Sequence, residues 1–441
     1  MAGVCKSNRQ GRPLSHPHVL NSSNWYRPKA VGELIAAKGL WYWLRAAVVF
    51  GAALYVSHYV YEVQKFRNVS VSLFQAVTEW LPRQSEPRYT WLVLIEDDEY
   101  WGELSGRRPI KRDYLARIVD RLVDANAHVI ALDFDMRLPN DTGTIPPEYL
   151  PETNALIDSI RRAALQGKKV VLSTPLSHDG QYKRDRDVYQ AMGLCQRGTD
   201  SSNKPAPGGA EDLVNRNVSC GYIALPYDYL AIPGRLHIRD EAELDSFSLA
   251  IARARNAGLV RRLETAGRVG SNDRYGSFIP EKKFRSTDVI MRAGELLGGS
   301  PRSRMFEANI VIVGGDWSSQ AAGRGRKIDL HESPVGPIAG ALLHANYVEA
   351  ILDDRTFSET PKWILHAIEM LFGLISGVVF AALLSTRAKI VGFGLMISTV
   401  FVAQWILMHQ WATHFDALFP VAGLAIHSVC ERLMEPKGHE A

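Results

Sequence analysis

The sequence predicts an α/β protein: an extracytoplasmic domain with a mostly parallel sheet flanked by helices, plus four transmembrane helices, one N-terminal and three C-terminal. Three observations carry this. Apolar runs of about 20 residues, enough for an α-helix to cross a hydrocarbon core roughly 30 Å thick, occur at Trp41–Tyr61, Trp363–Ser385, Ile390–Met408 and Trp411–Cys430. Between them, residues 62–361 have an ordinary soluble composition in which β-branched runs alternate with amphipathic ones. Lys and Arg flank the apolar runs so that every loop agrees on one orientation. The division that follows is a basic arm at 1–40, a first span at 41–61, an exported domain at 62–361, a three-helix membrane bundle at 362–433 and a tail at 434–441.

Orientation comes from charge. Lys6, Arg9, Arg12, Arg27, Lys29 and Lys38 precede the first span, and Arg45 sits just inside it, placed to snorkel outward. Arg387 and Lys389 lie between the second and third spans, and Arg432 and Lys437 follow the fourth. The turn at His409–His414 has no Lys or Arg. Positive loops stay cytoplasmic, so both termini are expected in the cytoplasm and the large domain outside, as in a multi-pass bacterial inner-membrane protein. Trp41, Tyr42, Trp43, Tyr59 and Tyr61 bracket the first span as an interfacial belt does. A cleaved signal peptide is the competing reading for that span. The long arm ahead of it and the want of a small-x-small cleavage site argue against this. The net charge of +4 gives no argument for nucleic acid; attraction of the arm to anionic lipid explains the basic excess.

Within the exported domain, Phe66, Val69, Leu73, Val77 and Leu81 are spaced as one face of a helix continuing out of the membrane, ended by Pro82 to Pro87. A strand at Trp91–Ile95 runs into the acidic turn Glu96-Asp97-Asp98-Glu99. A helix from about Lys111 to Ala125 follows, with Leu115, Ile118, Val119 and Leu122 on its buried side. Next come a strand at His128–Phe134, a helix from about Glu152 to Leu165 and a strand at Val170–Thr174. Strand–helix–strand units with short links imply right-handed crossovers and parallel strands buried on both faces. Ser177–Asn217 is polar and Gly-rich and reads as long loops. Order resumes with Gly221–Leu225, a helix from Leu244 to Ala254 or beyond, a strand at Ala308–Val313 and a helix at Ile338–Leu352. Of four cysteines, Cys195 and Cys220 fall in the exported domain and read as a disulfide in an oxidising compartment. Closing about 25 residues would stabilise by roughly 3 kcal/mol on the chain-entropy account. Cys5 and Cys430 fall where thiols stay reduced.

At this point the residues resemble a known family. Ile95-Glu96-Asp97-Asp98, Trp101-Gly102, Arg112 with Tyr114–Leu122, and Val129–Asp133 are similar to the CHASE2 sensor domain. So are Ser246–Ala250, Ile310–Gly315 with Asp329, Ser333-Pro334-Val335-Gly336, and Leu343-His344-Ala345-Asn346-Tyr347 through Leu352. The order and spacing of these segments carry the resemblance, rather than any single motif. Arg107-Arg108-Pro109 departs from it, since the family tends to have a tryptophan–proline pair there. The resemblance implies an extracytoplasmic sensory module. The family usually stands ahead of a fused kinase or cyclase, and no such domain follows the last span, so the output is expected in a separate partner.

Chemistry is sparse. Glu96 to Glu99 and the pair Asp133, Asp135 end strands read as adjacent, at the edge where open α/β sheets take ligands. Converging oxygens there would suit a Ca²⁺ or Mg²⁺ ion or a cationic ligand. The preferred reading is that Asp133 caps its loop and the others are solvated or pair with Arg112, so no metal or cofactor is expected. His344 with Asn346 opens a helix near the second span, and packing or hydrogen bonding suits it better than catalysis. No nucleophile elbow, CxxC pair or HExxH is present, so no catalytic residue is assigned. The candidate ligand-binding set is Glu96, Asp97, Asp98, Asp133, Asp135, Arg112, His344 and Asn346. Gly314-Gly315-Asp316 with Arg324 and Arg326 reads as a plain turn more readily than as an anion cradle. In the second span Gly373, Gly377, Ala381 and Ser385 form a small-residue stripe for close helix packing, with a homodimer as one use. His366 and Glu369 share a face of that span at a depth where ionisable groups suggest function. The expected role is non-enzymatic sensing and relay; the alternative is a structural subunit of an envelope complex.

Overall fold

The computed structural model describes residues 86–138, 144–179, 181–195, 209–225, 231–238, 243–271, 274–299, 306, 309–319, 327–331, 333, 335–361, 363–364, 367–368, 371–372, 375, 386–411 and 413–414. The β-branched apolar runs become one parallel sheet, as expected. Its strands are β1 (Thr90–Glu96), β2 (Val129–Leu132), β3 (Lys169–Thr174), β6 (Val218–Tyr222), β10 (Ile290–Arg292) and β11 (Ile310–Asp316). They lie in the order β10-β1-β11-β2-β3-β6, every neighbouring pair parallel. One expected neighbour is wrong. β1 and β2 do not pair, because β11, from the far end of the domain, is inserted between them.

Helices cover both faces, which is why β2 is buried at every position. On one face α1 (Arg112–Asp124), α2 (Leu150–Leu165) and α7 (Ala293–Gly298) set Leu115, Ile118, Leu156, Ile160 and Leu296 against Val93, Ile130, Val170 and Val311. On the other, α5 (Phe247–Thr265) and α8 (Gly340–Leu352) set Ile251, Leu343 and Tyr347 against Leu92, Ala131, Val171 and Ile312. The first of these helices shows the cause plainly. Its apolar positions recur on one side, and Leu115, Ile118, Val119 and Leu122 are fully buried, each contributing roughly 1.5–3 kcal/mol relative to exposure. α5 starts at Ser246, whose hydroxyl accepts from Leu249 N at 3.2 Å and donates to Pro233 O at 2.5 Å. It breaks at Asn256 (φ −151°, ψ 78°). There the Asn256 side chain accepts from Leu259 N at 3.0 Å and caps the second half.

Ser177–Asn217, expected as loops, holds more structure than that. β4 (Leu176–Asp179) and β5 (Gln181–Arg184) form a hairpin, α3 (Val188–Ala191) is capped by Asp187 accepting from Gln190 N at 2.8 Å, and α4 (Ala210–Asn217) leads into β6. These elements are short and polar on most faces, so hydrophobic periodicity does not announce them. The expected disulfide is present: Cys195 and Cys220 are joined, with Cα atoms 5.8 Å apart. It ties the end of the α3 segment to the edge strand β6.

The opposite, amino-terminal edge of the sheet gathers both ends of the domain. Glu349, in the last turn of α8, is fully buried. Its Oε1 accepts from Tyr89 N at 2.8 Å, Thr90 N at 2.8 Å and Thr90 Oγ1 at 2.7 Å. Arg88 N lies 3.1 Å from both carboxylate oxygens. After α8, β14 (Thr356–Glu359) pairs antiparallel with β9 (Arg274–Gly276). On its other side it pairs parallel with β15 (Thr413–His414), just beyond α9 (Thr386–Trp411). Among the described residues α9 is the one helix long and apolar enough to cross a membrane, and it exposes Ile390, Val391, Leu395 and Val402. The first span, the helix to Leu81, Gly373, Gly377, Ala381, Ser385, His366, Glu369 and the last span lie outside the described residues.

Reduction gives a test of the disulfide. Alkylation and mass mapping of membrane-extracted protein should find Cys195 and Cys220 joined, and the double Ser variant should lose about 2–4 kcal/mol in denaturant unfolding.

Candidate functional site

Parallel strands bring all their carboxyl ends to one edge, and six of the eight candidate residues gather along it. They do not form one cluster. Glu96 pairs with Arg292 at 2.8 Å. Asp97 accepts from Ser318 N at 2.6 Å and Ser318 Oγ at 3.0 Å. Asp98 is exposed, 3.7 Å from Arg292. Glu99 accepts from Glu96 N at 2.6 Å and Gly294 N at 2.7 Å. The acidic turn is thus a staple that fixes β1 to the loops after β10 and β11. Its partners are Arg292 and Ser318 rather than the expected Arg112, because Arg112 is drawn beneath the start of α2. There its Nη1 donates to Thr153 Oγ1 at 2.6 Å. Asp135 is half exposed and pairs with Arg137 at 3.6 Å. Asn346 accepts from Ile279 N at 2.5 Å and donates to Leu342 O at 3.1 Å; it bonds α8 to the loop before α6 (Glu281–Ser286).

What remains is a compact group around Asp133. Gly314 in β11 lets α8 come close, since a Cβ there would stand 2.5 Å from Ala341 Cβ. This brings His344 to the end of β2, its Nε2 3.9 Å from Asp133 Oδ1. His344 Nδ1 shares a 2.9 Å hydrogen bond with Ser248 Oγ, and the ring meets Phe247 edge to face. Asp329, just before β12 (Leu330–His331), bonds His331 Nε2 at 2.7 Å. Asp133's side chain is one-tenth exposed.

The electrostatics of the three groups differ by environment. Burial first, then the nearby Asp329 charge, push Asp133 well above the usual carboxylate range. Burial also pushes Asp329 up, but the His331 hydrogen bond and charge, His344 and the Gly340 amide outweigh it and hold that carboxyl low. Burial lowers His344 to about 4, with Asp329 opposing and His331 adding. At neutral pH the His344 imidazole is therefore neutral, and its two neighbouring carboxyls are pushed in opposite directions. Ser248 and His344 have the atoms of a nucleophile–base pair, but Ser248 is fully buried, so the contact locks the ring in place. No group of three or more His, Cys, Asp or Glu among the described residues is arranged to hold a metal ion.

This architecture can be set beside known proteins. The family model of the CHASE2 domain matches residues 46–385, most of the chain. The chain belongs to the CHASE2 family. CHASE2 domains are extracellular sensory modules, so the resemblance carried by the strand ends, Asp329 and the His344 helix is borne out. No curated protein and no solved structure matches the chain. In this CHASE2 domain most of the signature segments meet at the carboxyl edge. Sequence reasoning overlooked Glu349, Arg292 and Ser318 there and at the opposite edge. Glu349 did leave a signal: it is the one charged residue in the apolar stretch Ile338–Leu352.

The depressed His344 gives a pH test. The unfolded chain binds this proton near pH 6.5 and the folded domain only near 4. Its contribution is full above about 6.5 and falls as pH drops toward 4, by roughly 3 kcal/mol in all. Asp133, raised, works in the opposite sense as pH climbs above its ordinary value of 3.8. The measurement is therefore the difference between wild type and His344→Gln in denaturant unfolding. Wild type should lose more stability than the variant between pH 6.5 and 4.

Proposed function

We propose that this CHASE2 protein is an inner-membrane sensory relay. Its exported domain takes a ligand or partner at the carboxyl edge of the sheet and passes the change through its membrane helices to a separate output protein. One observation carries the reading. α8 holds His344 at the carboxyl edge and Glu349 at the opposite edge, where the segment from the first span and the segment to the second are gathered. All 13 residues of α8 are buried, and it is about 20 Å long. A ligand that favours one position of its first turn shifts the other end against Arg88–Thr90, by as much as its differential affinity allows. β14, next along the chain, bonds to both the domain and β15, so the far end of α9 is held to the same structure. Arg387 and Lys389 lie at the other end of this 26-residue helix, about 39 Å away. This supports a domain outside and a positive loop inside. The small-residue stripe Gly373, Gly377, Ala381 and Ser385 suits a two-fold dimer that turns such a shift into helix rotation. His366 and Glu369 would lie beside it within the bilayer.

Topology is checked with fusions. Reporters at Arg27 and after Ala441 should read cytoplasmic and one at Asn203 extracytoplasmic; an extracytoplasmic C terminus would remove the last span from the bundle. Relay is checked with a photocrosslinking residue in place of Ala388. It should capture a kinase, cyclase or similar output protein in membranes, whereas capture of envelope-assembly components alone would favour a structural subunit.

Glu349 tests the clamp. Glu349→Ala leaves three backbone amides and the Thr90 hydroxyl without acceptors, and should destabilise by about 2–4 kcal/mol. Hydrogen exchange should accelerate at Arg88–Thr90 more than at the sheet centre.

A further inference from the structure

The strand starts at the amino edge of the sheet carry basic residues whose partners are neutral. β2 and β3 begin there side by side, Val129 against Lys169, and Lys169 N donates to His128 O at 3.1 Å. Lys168 Nζ donates to Asn126 Oδ1. Lys169 Nζ donates to Asn217 Oδ1 at 2.7 Å and to Arg216 O at 3.2 Å. α5 brings further cations to this edge. Near its start Ser248 bonds His344 at the carboxyl edge; just past its end Arg268 Nη1 donates to Asp354 Oδ2 at 2.6 Å, two residues beyond α8. The second half of α5 therefore lies at the amino edge. Arg255 stands just before the break at Asn256, and Arg261 and Arg262 are exposed beyond it.

Among the described residues, none of Lys168, Lys169, Arg255, Arg261 and Arg262 pairs with a carboxylate. Burial, then the charges of Arg255, Lys168 and Lys169, lower His128. Several nearby acids are already engaged: Asp120 with Arg162 at 3.0 Å, Asp212 with Arg216 at 2.8 Å and Glu264 with Arg253 at 2.6 Å. Asp124, exposed at the end of α1, stands against five cations.

We infer that this face is a docking surface for anionic phospholipid headgroups, such as phosphatidylglycerol, of the membrane that α9 enters. Its place in the fold selects that partner. β14 follows α8 and pairs with β15 at the Trp411 end of α9, so the candidate membrane helix joins the domain at this edge. β9, the other partner of β14, lies against the end of α8, since a Cβ on Gly276 would stand 3.1 Å from Ala350 Cβ. Attraction between exposed charges fades over about 8 Å at physiological salt. A bilayer held at this edge by the chain itself therefore has the advantage over a free polyanion. Asn217 Nδ2 donates to Ala164 O at 2.8 Å, which sets the end of α2 beside Lys169. The next residue, Leu165, is 46% exposed and offers an apolar contact to the layer beneath the headgroups. Docked there, the domain turns its carboxyl edge to solvent, a length of α8 away, open to the ligand or partner proposed above. The inference rests on α9 crossing the membrane and goes beyond that reading by naming the face the bilayer meets.

The test uses full-length protein in nanodiscs of phosphatidylcholine, or of the same lipid with a third replaced by phosphatidylglycerol. An amine-reactive reagent and mass mapping give the labelling rates of Lys168, Lys169 and Lys183, the last exposed on β5 beyond the carboxyl end of β3. Lys168 and Lys169 should label severalfold more slowly in the anionic discs at low salt and equally in both discs at high salt. Lys183 should not distinguish the discs. Arg261→Gln with Arg262→Gln changes exposed side chains only, so it should unfold at the wild-type midpoint and bring both lysines toward their phosphatidylcholine rates. Equal rates for Lys168 and Lys169 in the two discs overturn the inference, as does a double variant that stays protected. Protection by inorganic phosphate in phosphatidylcholine discs would mean a free-anion site and overturns the lipid assignment. A chain that does not enter discs at all overturns the membrane reading along with it.

Discussion

A single buried carboxylate holds this molecule in the form that matters. Glu349 sits in the last turn of α8, where the helix dipole disfavours negative charge, and burial pushes its carboxyl above its ordinary range against the pull of its hydrogen bonds. Those bonds come from the backbone of Arg88, Tyr89 and Thr90 and from the Thr90 hydroxyl. An apolar residue would fill the space but leave those donors unmet. The arrangement forces β1 to begin where α8 ends, and so brings the start of the described domain against the end of its last helix.

The rest of the domain can be understood as what this constraint requires of the opposite edge. With β1 fixed at its start, its carboxyl end is aligned by Glu96, Asp97 and Glu99, whose bonds to Arg292, Ser318 and Gly294 tie three loops together. Gly314 then lets α8 lie close on β11, and His344 comes to rest between Ser248 and Asp133. The same helix therefore reads one edge and holds the other. Its full burial makes it a poor place for local flexing and a good one for a rigid shift.

Much of this was legible in the chain. The strands read from Trp91, His128, Val170 and Ala308 and the helices read from about Lys111 and Glu152 followed from β-branched runs and 3.6-residue periodicity, because their burial is simple. The edge strand β10 was not, since three residues with a polar end, Ile290–Arg292, give no pattern to read. Nor was the insertion of β11, because order within a sheet depends on long-range pairing that periodicity does not encode. Among site residues, Asp133 and His344 were visible as polar groups ending apolar elements. Arg112 was placed with the wrong partner: helix position alone does not say whether a guanidinium turns toward β1 or toward α2.

The place of β11 bears on how the protein is made. The two strands it joins begin at Thr90 and Val129, yet it is Ile310–Asp316 that bonds to both. Until those residues are in place, the centre of the sheet is a gap with two unpaired strand edges beside it. Such edges invite pairing with other chains, and contacts so distant in sequence form slowly. Everything in the domain ahead of Ile310 must therefore wait, incompletely folded, for that strand. A truncation short of Ile310 leaves a species whose danger is aggregation rather than silence. The demand on chaperones is thus set by strand order and not by the stability of the finished domain.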